Sequence, residues 1–127
     1  MVTFESISEI IDIIETELSI ECTTDDAENL IDEMYRKNDF TIEIDGCEYR
    51  FINDSAIWDI YFDEQKDLIE ECYINDLNKE WWIVIDWEAT IDNVYSADGY
   101  GHHFATYDGS EYNINWKNEL WYIFRTN

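Results

Sequence analysis

Proline is absent from this 127-residue sequence, and glycine occurs only 4 times. Linkers between domains are usually rich in proline, glycine or small polar residues, and no such stretch, internal repeat or low-complexity run interrupts the chain. The length is also that of one domain and leaves no room for a second core. We therefore expect a single domain over residues 1–127.

Cysteine is scarce as well. The three cysteines, Cys22, Cys47 and Cys72, are an odd number without paired spacing, which argues against a disulfide scaffold and for a reducing compartment. The first residues contain neither a basic nor an apolar signal region, and no apolar run approaches the ~18 residues of a membrane span. We expect a soluble, cytoplasmic protein.

Catalytic and ligand-binding motifs are missing too. The sequence contains no GxSxG, P-loop, GxGxxG or HExxH pattern, and DNVYSADGYGHHF lacks the ligand spacing and closing Glu of a calcium loop. Nearly all carboxylates fall on predicted solvent faces, where nothing raises a pKa for acid-base work. We expect no enzyme activity, no cofactor and no dedicated metal site.

Negative charge and aromatic residues are what the sequence has in excess. It carries 31 Asp plus Glu against 7 Lys plus Arg, a formal net charge of −24, whereas solubility needs a magnitude of only ~2 to 8. The hydrophobic fraction of 46% and the aromatic fraction of 17% are far too high for a disordered acidic tail. This protein folds around an aromatic core.

The charge density approaches that of nucleic acid. Mass scaling gives a surface of ~7,000 Å², hence about one net negative charge per ~300 Å². A B-DNA cylinder of ~10 Å radius has about one phosphate per ~100 Å². Acids crowded onto half of the surface would match DNA within about a factor of two, so a partner that grips phosphates is favoured and direct nucleic-acid binding is not.

Two N-terminal segments have the spacing of amphipathic helices. In SISEIIDIIETELSI the isoleucines recur at helical spacing, and Ser6 and Glu9 are spaced as a capping box. In TTDDAENLIDEMYRKN the acids come early, while Arg36 and Lys37 come last, as the helix dipole favours.

The next segment, FTIEIDGCEYRFI, alternates around Asp45-Gly46, the strongest short hairpin signal. A two-residue turn there places Glu43 directly opposite Glu48, at a cost of a few tenths of a kcal/mol. Nothing in the predicted fold compensates for this small destabilisation.

The rest of the chain predicts a mixed fold. Residues from Ser55 to Phe62 fit both a strand and a helix, and we favour a helix from about Ser55 to Tyr73. WWIVIDW is predicted as a central strand, EATIDNVY as a short helix and LWYIFRT as a strand. The expected class is α+β, a single compact domain with two to three amphipathic helices on a mostly antiparallel sheet built from hairpins.

Both histidines lie in HFATYDGSEYNINW, which has the form of a second hairpin turning at Asp108-Gly109. In that register His103 faces the core opposite Ile114, and His102 faces the other side. Adjacent strand residues do not converge on one metal, so we interpret the pair as structural.

Every predicted element before residue 74 carries negative charge, and we interpret these acids as a surface that binds a partner. The candidate residues are Glu9, Asp12, Glu15, Asp25, Asp26, Glu28, Asp32, Glu33, Glu43, Glu48, Asp63, Glu64, Asp67, Glu70 and Glu71. Such a field steers association with a basic partner and suppresses partners of like sign. Halophilic adaptation also produces acidic surfaces, and the sequence leaves that alternative open.

The favoured hypothesis is a nucleic-acid mimic that occupies the DNA- or RNA-binding channel of a basic protein. In size and composition the chain resembles the acidic anti-restriction and anti-CRISPR inhibitors of phages and mobile elements, which act in the bacterial host cytoplasm. IDWEATIDN (residues 85–93) and WYIFR (residues 121–125) are together similar to the closing segment of ArdA-type antirestriction proteins. The insertion with both histidines departs from that pattern, and no residue role is carried over. A homodimer would lengthen the acidic face and fits a DNA footprint.

The alternative is an immunity protein that neutralises a basic toxin, commonly a nuclease. Such proteins are also small, acidic and cytosolic, and they bind through aromatic anchors inside an acidic patch. Four tryptophans are candidate anchors, although the core is the default place for each: Trp58, Trp87, Trp116 and Trp121.

Overall fold

The computed structural model describes residues 3–74 and 84–127. Along the chain the elements are α1 (Phe4–Leu18), α2 (Thr24–Arg36), β1 (Asp39–Ile44), β2 (Cys47–Asn53), α3 (Asp54–Ile69), α4 (Trp87–Phe104), β3 (Tyr112–Trp116) and β4 (Glu119–Arg125). A π-helical turn, Glu70–Ile74, continues α3. The α+β class is confirmed, and the described residues contain four helices where two to three were expected. No helix in these ranges is long and apolar enough to span a membrane.

Both N-terminal helices form where their apolar spacing predicts them. Thr3, not Ser6, caps α1, because the Thr3 side chain accepts a hydrogen bond from the Ser6 N–H at 3.1 Å. Helix α1 ends at Ser19, which adopts the left-handed conformation. Thr23 and Asp26 form a reciprocal capping box at the start of α2. Local capping thus fixes where both helices begin.

The first hairpin has the predicted register. Asp45 and Gly46 both have positive φ, as a two-residue hairpin turn requires, and Glu43 lies directly opposite Glu48. A second hairpin joins β3 to β4 through Lys117 and Asn118, which also have positive φ. The sequence analysis missed this turn, because it lacks the glycine on which the prediction relied.

The four strands form one antiparallel sheet in the order β1-β2-β4-β3. Because side chains alternate between the two faces of a strand, Phe51 and Trp121 pack with α1 and α2, whereas Ile52 and Phe124 pack with α3 and α4. The sheet therefore lies between two helical layers, each with its own apolar core.

Helix α3 occupies the segment that fitted both a strand and a helix. It begins at Asp54, with the Asn53 side chain accepting a hydrogen bond from the Ser55 N–H at 2.9 Å. Its buried residues Ile57, Tyr61 and Gln65 recur every four positions, which is a helical spacing. The favoured helix is therefore confirmed.

The predicted strand WWIVIDW is wrong in its described part, and residues 81–83 of it lie outside the described residues. Val84 is 90% exposed and belongs to no strand. Asp86 caps α4, accepting a hydrogen bond from the Ala89 N–H at 3.1 Å. The short helix predicted from Glu88 is correct, and the helix extends to Phe104. The N-cap at Asp86 therefore starts a helix where the apolar pattern of WWIVIDW predicted a strand.

The histidine segment is helical, so the predicted hairpin at Asp108-Gly109 is wrong. Helix α4 bends at Gly99 (φ 71°) and continues through both histidines to Phe104. Phe104 and Ala105 are adjacent and both buried, a pattern that alternation in a half-exposed strand does not produce. The Asp108-Gly109 pair lies in the loop that leads to β3.

Candidate acidic interface

The structure divides the predicted acids between two sides of the molecule. Those of α1 and α2 lie in one helical layer, and those of α3 and the π-helical turn lie in the other. Ten of the fifteen are exposed; the half-buried ones are Asp26, Asp32, Glu33, Glu64 and Glu70. The candidate residues therefore do not form one continuous face.

Several acids of α1 and α2 have structural roles. Asp26 belongs to the capping box of α2, and Glu15 accepts a hydrogen bond from the Cys22 N–H at 3.1 Å. Asp32 pairs with Arg36 one helical turn later, and Glu33 pairs with Lys37 at 3.0 Å. These roles reduce the charge that this layer offers to a partner.

The Glu43 and Glu48 pair at the first hairpin is exposed on both sides. Glu48 accepts a hydrogen bond from the Thr126 hydroxyl at 2.6 Å. This contact ties the chain end to the hairpin, and it gives one of the two opposed carboxylates a local partner.

Helix α3 carries an exposed line of carboxylates, which we call the acidic row: Asp59, Asp63 and Asp67. Residues four positions apart lie on the same helix face, and a rise of ~1.5 Å per residue separates neighbours by ~6 Å along the axis. Like charges at this spacing destabilise a helix by ~0.2–0.5 kcal/mol per pair. The acidic row therefore slightly destabilises α3.

A cleft of about 660 Å³ lies between α3 and α4, and we call it the acidic cleft. Its lining residues are Trp58, Asp59, Phe62, Asp63, Glu88 and Asp92. Two aromatic side chains and two carboxylates come from α3, and two further carboxylates come from α4. No ion pair among the described residues involves any of these four carboxylates.

Sequence reasoning identified Asp63 in this cleft but missed Asp59, Glu88 and Asp92. Asp59 lies in the segment whose structure the pattern left ambiguous, and the other two follow the stretch predicted as a strand. The signal that would have found them is Asp86, an N-cap residue with Glu88 two positions later, inside the first turn of α4.

Glu64 turns away from the acidic row into an ion-pair network. Arg50 donates to Asp39 at 2.7 and 2.8 Å and to Glu64 at 2.8 Å, with its guanidinium 4.9 Å from the Phe104 ring centre. His103 Nε2 lies 2.9 Å from a Glu64 oxygen. Burial by itself would raise the pKa of Glu64, but hydrogen bonds to Arg50 and His103 hold it below its usual value of 4.5.

The two histidines have different surroundings, although the prediction that they point apart rested on the wrong element. His102 is exposed, whereas the His103 side chain is 12% exposed and packs edge-on against Tyr61 and Phe104. Within residues 3–74 and 84–127, no three His, Cys, Asp or Glu side chains are grouped as a metal site.

The basic side chains of the described ranges all have intramolecular partners. Arg36, Lys37 and Arg50 pair with carboxylates. The other three lie over aromatic rings: Lys66 over Trp87, Lys117 over Trp116 and Arg125 over Tyr107. Each positive charge in these ranges thus has a partner within the chain, while most of the carboxylates are exposed to solvent.

Burial limits which tryptophans can anchor a partner. Trp116 and Trp121 are buried in the core and unavailable as anchors, whereas Trp58 and Trp87 are half-buried.

Burial, followed by the charges of Asp26 and Glu15, raises the pKa of the Cys22 thiol to about 11, so this thiol is unreactive at neutral pH.

Comparisons with protein-family models, curated proteins and solved structures find no match to this chain. The resemblance of residues 85–93 and 121–125 to ArdA-type proteins therefore stays a prediction, and the argument for function depends on the residues themselves.

Proposed function

We propose that this protein is an acidic nucleic-acid mimic that occupies the DNA- or RNA-binding surface of a basic host defence protein, a restriction enzyme or a CRISPR effector. The observation that carries the proposal is the distribution of charge. Each cation of the described ranges has an intramolecular partner, and carboxylates cover the exposed side of the helices.

The layer of α3 and α4 is the proposed binding surface. Its acidic row has one charge per ~6 Å of helix axis, against one phosphate per ~3.4 Å of a single DNA strand. Glu88 and Asp92 add a second line of charge across the cleft. The charge per unit length of the two lines together approaches that of one DNA strand.

The experiment begins with a pull-down from a bacterial lysate, eluted by a salt gradient and repeated with excess duplex DNA. We expect a basic nucleic-acid-binding protein that DNA displaces. Its affinity should fall steeply with salt, because phosphate-like contacts act through charge. A single partner that DNA does not displace, or a flat salt response, would contradict mimicry.

Two matched double variants then locate the surface. Asp63→Asn with Asp67→Asn removes two charges from the acidic row, and Asp12→Asn with Asp25→Asn removes two from α1 and α2. We expect the first to weaken the captured partner's binding by about tenfold, or about 1.4 kcal/mol, and the second by much less. Equal losses would assign binding to the whole field and not to this layer.

An immunity protein against a basic toxin is the second candidate, and Trp58 is the observation that favours it. This half-buried tryptophan lies in the acidic cleft, and an aromatic anchor within acids is typical of interfaces whose affinity depends on few residues. For that function, one substitution at Trp58 should abolish protection against one cognate toxin, and DNA should not compete.

A further inference from the structure

We propose that the acidic cleft is a docking groove for an arginine side chain of the basic partner. The inference rests on the proposed function and deepens it, because it assigns one anchoring contact to a surface that otherwise acts through distributed charge. The groove is lined by two aromatic side chains, Trp58 and Phe62, and by carboxylates from two helices.

The chemistry of the groove selects its occupant. A guanidinium is planar, stacks on an aromatic face and forks between carboxylates, whereas an ammonium is a strongly hydrated point charge. The Trp58 and Phe62 rings provide the face, with Asp59 and Asp63 on one side and carboxylates of α4 on the other. Charge complementarity favours a cationic occupant and disfavours an acidic one.

The same chain already holds one guanidinium in this way. Arg50 lies between the carboxylates of Asp39 and Glu64, with Phe104 beneath it at 4.9 Å. The acidic cleft repeats that set of groups, carboxylates from two elements and an aromatic ring, but none of its four carboxylates has an ion-pair partner within the described ranges.

A second internal contact shows that cations are attracted at this helix pair. Lys66 of α3 places its ammonium 5.4 Å from the ring centre of Trp87 on α4. This lysine is not among the residues lining the cleft. No basic side chain of the described residues lines the groove, and its volume of about 660 Å³ is within the range of side-chain and small-ligand sites.

The test uses two short peptides of equal length, one all-arginine and one all-lysine, titrated into the full chain by calorimetry at physiological ionic strength. We expect the arginine peptide to bind about tenfold more tightly. Asp63→Asn with Glu88→Gln should remove that preference and weaken arginine-peptide binding about tenfold. The matched control, Asp12→Asn with Glu28→Gln, removes the same charge from α1 and α2 and should weaken both peptides slightly and equally.

Trp58 separates stacking from charge. Trp58→Leu should abolish the preference for arginine at unchanged net charge, and Trp58→Phe should retain it; amide NMR spectra establish that each variant is folded. Equal binding of the two peptides, or equal losses in the cleft variant and its control, would overturn the groove. Neither result depends on a captured defence protein, so failure of the groove and failure of mimicry are distinguishable.

Discussion

At the scale of single residues, Arg50 draws two carboxylates into the fold, because Asp39 and Glu64 both form ion pairs with it. It connects β2 to Asp39 on β1 and Glu64 on α3, and His103 adds a fourth member from α4. The sequence analysis assigned Glu64 to the binding surface with its neighbours. Only its contacts with residues 14 and 39 positions away show that its charge is neutralised inside the protein.

Glu64→Gln should therefore destabilise the fold at neutral pH by about 1 kcal/mol, a modest value because the side chain is 38% exposed and solvent screens the pair. The folded-state pKa of Glu64 is lowered, so its contribution is present above the unfolded-state value and is lost as pH falls through the folded-state pKa. Urea unfolding from neutral to acidic pH measures the difference from the natural chain.

Glu71→Gln is the control for this prediction, since Glu71 is exposed and its loss also relieves repulsion. If the loss of stability caused by Glu64→Gln persisted unchanged in acid, the ion-pair network would be contradicted.

At the scale of elements, the bend in α4 brings the helix end against the loop that follows it. A Cβ built on Gly101 would lie 2.4 Å from the Gly109 carbonyl oxygen. The Gly109 N–H in turn donates to the Ala105 carbonyl at 2.8 Å. This close approach joins the end of α4 to the following loop, and no spacing rule in the sequence predicts it.

Gly101→Ala should destabilise the protein by about 2 kcal/mol, because the added methyl group must displace backbone. In a helix with free space the same change would stabilise by ~1 kcal/mol, so the two cases differ in sign. Thermal unfolding measures it, with Ser96→Ala on the exposed side of α4 as the control. A neutral or stabilising Gly101→Ala would contradict the close packing.

At the scale of the whole molecule, repulsion within a net charge of −24 opposes folding. Burial of apolar side chains in two cores favours folding. Among the described residues, the largest fully buried side chain is Trp121, on the interior strand β4. Burial of large apolar side chains is worth about 1.5–3 kcal/mol each, which offsets repulsion between charges on a hydrated surface. We therefore expect the fold to tolerate its acidity without high salt.

We expect the protein to remain folded at low ionic strength and to gain about 1 kcal/mol, or about 4 °C in Tm, as salt rises to physiological concentration and screens repulsion. Circular dichroism melts over a salt series test this. A combined Asp12→Asn, Asp63→Asn and Asp67→Asn variant should gain less. Unfolding at low salt would favour halophilic adaptation as the cause of the acidity.

Features that depend on local spacing follow from the amino-acid sequence alone. The apolar periods of α1 and α2 and the Asp45-Gly46 turn act within a few residues, so the two helices and the register that opposes Glu43 to Glu48 follow directly. The overall charge is likewise a property of composition.

Which acids share a surface depends on contacts between distant parts of the chain. Helices α1 and α2 pack on one face of the four-stranded sheet and α3 and α4 on the other. The acidic cleft joins Asp63 to Asp92 across two helices. Such contacts arise from packing between segments far apart in the sequence, and local residue patterns do not predict them.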